Sequence, residues 1–157
     1  MKTSDLRSLQ ALRQLREQRA ASQLAAQQRR CGDTHHALDD ARETLRLHRE
    51  SLAREAERIY GAFNDGLSIN AWHAAQEHLN ELVGGRCQLE ESVEQTARLL
   101  QVQEQEREVF RAARMARQRQ ADACDSLLEG RLHSERRAGE SRDDAEDIPA
   151  AAPGGVA

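Results

Sequence analysis

Along the first part of the chain an apolar residue returns every seven positions: Leu24, Cys31, Leu38, Leu45, Leu52 and Ile59. Three residues further on lies a weaker series, Gln27, Thr34, Ala41, His48, Glu55 and Ala62. The second part repeats the pattern, with Leu79, Arg86, Val93, Leu100, Arg107, Arg114, Ala121 and Leu128 as one series. Its companion series is Leu82, Leu89, Thr96, Gln103, Phe110, Arg117 and Cys124. A seven-residue apolar period marks helices that pack on one another along a narrow seam. The pattern predicts a first helix over about 4–62 and a second over about 69–133.

Between them, Asn64-Asp65-Gly66 is a strong turn signal, and the predicted turn covers 63–68. Ser68 as N-cap puts Leu67 and Trp72 at the two positions of a hydrophobic staple, with Asn70 the competing cap. Two heptad helices joined by a short turn form an antiparallel hairpin, in which facing residue numbers share one sum. A sum of 134 pairs Ala62 with Trp72, Leu52 with Leu82, Leu45 with Leu89, Ala41 with Val93 and Leu24 with Phe110. The fold class is therefore all-α: residues 1–133 an antiparallel coiled-coil hairpin, residues 134–157 a disordered acidic tail.

The seam has faults. His48 faces Arg86, Cys31 faces Gln103 and Gln27 faces Arg107, while Gly84-Gly85 raises the question of a break in the second helix. Leu6, Leu9, Leu12 and Leu15 do not continue the heptad, which predicts a stutter near the N-terminus. Such a seam asks for a partner surface to complete its burial.

Composition agrees with long helices: 32% of residues are charged, 38% hydrophobic and only 3% aromatic, and both prolines lie in the last nine residues. Of the four aromatic residues, Tyr60, Phe63 and Trp72 cluster around the turn. An apolar tip on a charged hairpin has the character of a docking site. The net charge of −4 conceals an expected polarity. Residues 1–30 with 104–133 sum to +5, and residues 31–103 to −6.

No nucleotide-binding, nucleophile or metalloprotease motif occurs, so no enzyme activity and no cofactor are expected. Cys31 with His35, and His73 with Glu77, are spaced i, i+4 but supply two ligands where a structural zinc needs four. No metal is therefore expected. The three cysteines lack the spacing of a disulfide framework. No secretory leader or apolar run of spanning length is seen, which points to a cytoplasmic protein without direct membrane insertion. Arg7, Arg13, Arg16, Arg19, Arg29 and Arg30, with Arg107, Arg111, Arg114, Arg117 and Arg119, raise nucleic-acid binding as an alternative. Phe110 is the one aromatic among them and the register buries it, and the chain is net acidic with an acidic tail, so none is expected.

The stretch NDGLSINAWHAAQEHLNELV at 64–83, the two-helix organisation and the acidic RDDAED at 142–147 carry a resemblance. The chain resembles the FliJ/YscO family, the small cytoplasmic stalk proteins of flagellar and virulence type III secretion systems. That resemblance implies a hexameric secretion ATPase as partner at the terminal end, an export gate protein at the turn end, and export chaperones. It also implies a cytoplasmic location, peripherally associated with the inner-membrane apparatus. By position, the gate contact falls on His78, Leu82 and Gly85, with Leu79 adjacent; the exposed-tip argument adds Phe63 and Trp72. His78 departs from the family, whose flagellar members have an aromatic there. The charge distribution adds Arg13, Arg16, Arg114 and Arg117 as ATPase contacts. A generic coiled-coil tether or chaperone is the alternative within the binding class.

Overall fold

A computed structural model describes residues 1–148, and these form two helices, α1 (Thr3–Asn64) and α2 (Ile69–Glu146). The helices pack against each other as an antiparallel hairpin. By contact density the chain divides into unit 1, Met1–Gln23 with Arg111 onward, and unit 2, Leu24–Phe110.

The turn follows from its residues. Backbone N–H groups of Asp65 and Gly66 bond the carbonyls of Ala62 and Phe63, and Gly66 takes a φ of 91°. That left-handed conformation costs a side-chain-bearing residue about 1–2 kcal/mol, which is why glycine ends the turn of α1. Ser68 is the N-cap of α2: its Oγ accepts the Ala71 N–H at 3.2 Å, and its carbonyl accepts that of Trp72 at 2.9 Å. Asn70 lies inside the helix.

In unit 2 the seam is the one the heptad predicts. Leu24, Cys31, Leu38, Leu45 and Ile59 of α1 are buried, as is Leu100 of α2. Contacts across the pair keep near the expected sum: Phe63 packs on Trp72, and Glu55 reaches His78. The most enclosed side chain is polar. Gln27 is 2% exposed, and its Nε2 donates to the Gln103 carbonyl at 3.0 Å and to Glu106 at 3.1 Å.

Gly84-Gly85 does not interrupt α2, which is helical throughout Ile69–Glu146. The His48 ring occupies the space over Gly85 and its Nε2 lies 2.8 Å from the Leu82 carbonyl; a Cβ at Gly85 would stand 3.2 Å from the ring. At Gly84 a Cβ meets nothing within 4 Å. Only one glycine of the pair is required by packing.

In unit 1 the predicted stutter is absent. Leu6 and Ala20 are buried, with Gln10, Arg13 and Glu17 half-buried between them, so the three-four spacing runs on unbroken. Polar pairs occupy those layers: Gln10 donates to Asp125 at 2.7 Å, Arg13 donates to Gln120 at 2.7 Å, and Glu17 lies 3.7 Å from Arg114. Leu12 and Leu15 point outward instead, 42% and 50% exposed. Apolar periodicity alone misplaced this seam because three of its members, Gln10, Arg13 and Glu17, are polar, while Leu12 and Leu15 face solvent.

The tail also begins later than expected. Residues 134–146 continue α2, where the Thr3 hydroxyl bonds Glu135 at 2.5 Å and Arg131 bonds Glu135 at 3.2 Å. Nothing in this stretch stops a helix, since the first proline is Pro149. The remainder of the predicted tail, residues 149–157, lies outside the described residues.

The two glycines separate into opposite outcomes. Gly84→Ala is expected to stabilise the protein by about 1 kcal/mol through helix propensity. Gly85→Ala is expected to gain nothing, because the methyl displaces the His48 ring. Urea denaturation of both variants measures the difference.

A candidate interaction site at the turn end

At the end of unit 2 the Phe63 and Trp72 rings pack at a centroid distance of 5.3 Å and an interplanar angle of 53°. This tilted geometry is a favourable one for aromatic pairs. Both rings remain accessible, as do Tyr60 and Ile69, the last 76% exposed. The staple position of Trp72 is thus used for a contact with the end of the preceding helix. Burial of the pair is partial, so closing the hairpin does not consume its apolar surface.

Beside the rings lies a groove of about 360 Å³ with Ile59, Ala62, Leu67 and Ala71 in its lining, and with Arg58 and His78 among its polar groups. Both side chains turn to Glu55. Arg58 bonds it at 2.5 Å, and the His78 Nε2 stands 3.6 Å away. The Arg58 bond, more than the charge of His78, holds the Glu55 carboxyl below its usual value. The end of unit 2 therefore offers an apolar trough with charge at its border.

The other turn-end residues named from the sequence divide by role. His78 is exposed and available. Leu79, Leu82 and Gly85 are half-buried in the seam, and Gly85 is there to admit His48. Tyr60, part of the aromatic cluster around the turn, and Ile69, which the sequence analysis does not single out, extend the site. Their signal was legible, since both are large apolar residues flanking the turn outside the heptad series.

Of the terminal arginines, Arg13 and Arg114 make contacts across the unit 1 pair, and Arg117 bonds within α2. Arg13 and Arg117 both donate to the Gln120 side-chain oxygen, and Arg114 faces Glu17. Arg16 is exposed and has no side-chain partner among the described residues. Unit 1 is basic nonetheless: residues 6–20 and 111–121 hold eight arginines and one acid, Glu17.

Among the described residues no group of three or more His, Cys, Asp or Glu side chains could hold a metal ion. No described helix is long and apolar enough to cross a membrane. The chain matches no family model, no curated protein and no solved structure.

The depressed carboxyl of Glu55 sets a pH dependence. A group with a lowered folded-state pKa contributes stability above its unfolded value and loses it as pH falls through the folded one. The difference in melting temperature between the protein and Glu55→Gln is therefore expected to be present above the carboxylate range of the unfolded chain. Below about pH 4 it vanishes as the carboxyl of the unfolded chain protonates and then that of the folded one. A pH series of thermal melts checks this.

Proposed function

We propose that this chain is a non-enzymatic interaction protein of a type III secretion system, the central stalk of its ATPase ring. In this reading it links the ATPase to the export gate and to export chaperones, from a cytoplasmic position peripheral to the inner membrane. The observation that carries the reading is the accessible Phe63–Trp72 pair. It sits at the end of a two-helix hairpin, within and beside the 64–83 stretch that resembles the FliJ/YscO family. Aromatic side chains held in place by their own helix ends lose little freedom on binding, which favours their use as anchors. The basic unit 1 suits an acidic ring wall, because opposite charge accelerates encounter.

The nucleic-acid alternative draws on the same eight arginines. Against it, residues 1–23 and 111–157 contain no aromatic side chain on which bases could stack.

Co-purification with a hexameric secretion ATPase, and stimulation of its hydrolysis, tests the stalk reading; a chain that neither binds nor stimulates the ATPase refutes it. A steep salt-dependent shift of nucleic-acid mobility favours the alternative. At the tip, Phe63→Ala with Trp72→Ala is expected to weaken gate binding about tenfold or more, with far-UV circular dichroism unchanged. Equal loss of helicity reduces the stretch to a turn. At the terminal end, docking is best tested by reversing Arg16 and Arg111, because Arg13, Arg114 and Arg117 are already engaged by Gln120 or Glu17.

A further inference from the structure

Two exposed flanks, one in each unit, have complementary chemistry. In unit 1 the flank is marked by Gln120, which binds Arg13 across the pair. Ala113, Ala116, Gln120, Ala123 and Leu127 recur along α2 at steps of three and four, and all are exposed. In an antiparallel pair the positions just before the seam series of each helix share one side. That side of α1 contributes Leu12, Arg16 and Arg19, also exposed. The result is a shallow surface paved with alanine and bordered by Leu12 and Leu127, whose own positions carry Arg16 and Arg19 as their only charges.

In unit 2 the same flank is marked by Glu106, which accepts from the buried Gln27. Leu99, Val102 and Val109 stand on it in a row, 51%, 50% and 68% exposed. From α1 it receives Leu47, half exposed, with Asp33 and Asp40. Its charges between residues 26–47 and 95–109 are those two acids and Glu106 against Arg30 alone. Here the surface is a ridge of larger apolar side chains with an acidic border. Each unit follows its flank in net charge: the sequence gives unit 2 ten basic and sixteen acidic residues, while residues 1–23 with 111–148 carry thirteen and eleven.

We propose that the alanine-paved flank of unit 1 binds the ridge of unit 2 on a second copy of this chain. Small side chains on one surface let the helix backbone approach the Leu99–Val102–Val109 ridge closely, which gains dispersion and apolar burial. Arg16 and Arg19 then meet Asp33, Asp40 and Glu106, which sets the orientation of the contact. Two acidic ridges repel each other, as do two arginine-bordered flanks, so like does not pair with like. The contact is heterologous, and it either closes reciprocally into a dimer or extends along further copies. It requires no other protein, and is independent of the secretion reading.

Sedimentation equilibrium of the full chain at low salt tests it. From micromolar to millimolar concentration the average mass is expected to rise above the 17.6 kDa of one chain, and added salt reverses the rise. The variant Arg16→Glu/Arg19→Glu spoils the flank and keeps the ridge; Leu99→Gln/Val102→Gln spoils the ridge and keeps the flank. All four positions are exposed, so helicity is expected to stay intact by circular dichroism. Each variant alone is expected to remain monomeric, and an equimolar mixture to associate through the one intact contact. Three results overturn the proposal: a wild-type chain that stays monomeric throughout, variants that associate as the wild type does, or a mixture that stays monomeric.

Discussion

The hairpin depends on one constraint, the register between its helices, and a buried amide helps to hold it. Gln27 is the most enclosed side chain of the described protein, and both its hydrogen bonds cross to α2. Sliding one helix by a heptad keeps leucine near leucine, so apolar contacts discriminate weakly between registers. It leaves the Gln27 amide without the Gln103 carbonyl and the Glu106 carboxylate, and an unpaired buried amide costs about 1–3 kcal/mol. A polar seam position commonly selects register at some expense in stability. His48 acts alongside it, because its ring packs closely over Gly85 and its Nε2 meets the Leu82 carbonyl. Both devices belong to unit 2, where the apolar seam is best formed.

Unit 1 is built on a different balance. Between Leu6 and Ala20 its α1 seam positions are Gln10, Arg13 and Glu17, each with a polar partner on α2. These layers remain partly open to water, where such pairs contribute little net stability. Unit 1 therefore holds its helices together chiefly through Leu6, Ala20, Ala121, Cys124 and Leu128, while larger apolar side chains stay outside. Polar pairing within and apolar exposure without is the distribution of a helix pair equipped for further contacts.

Much of this was legible in the sequence, for identifiable reasons. The heptads of residues 24–62 and 79–110 are apolar enough to declare their seam, and the turn chemistry of Asn64 through Ser68 is local. The unit 1 seam was not legible, because its polar members carry no hydrophobic signal and Leu9, Leu12 and Leu15 suggest a false phase. The end of α2 was not legible because its polar composition is that of a tail, although no proline interrupts the helix before Glu146. The turn-end aromatics could be picked out as a group, but their mutual packing could not. Nor could sequence spacing separate the arginines spent on the seam from those left free.

The brevity of the turn has a kinetic consequence. Only residues 65–68 separate the two helices, and Phe63 meets Trp72 across a short stretch of chain. The Thr3–Glu135 contact, by contrast, joins residues 132 apart. Closing a long loop costs more entropy than closing a short one, and each seam layer formed near the turn shortens the loop left for the next. Folding then proceeds as a zipper from the Gly66 turn outward. On a ribosome, the N-terminal segment waits for nearly all of the chain before its own partners emerge.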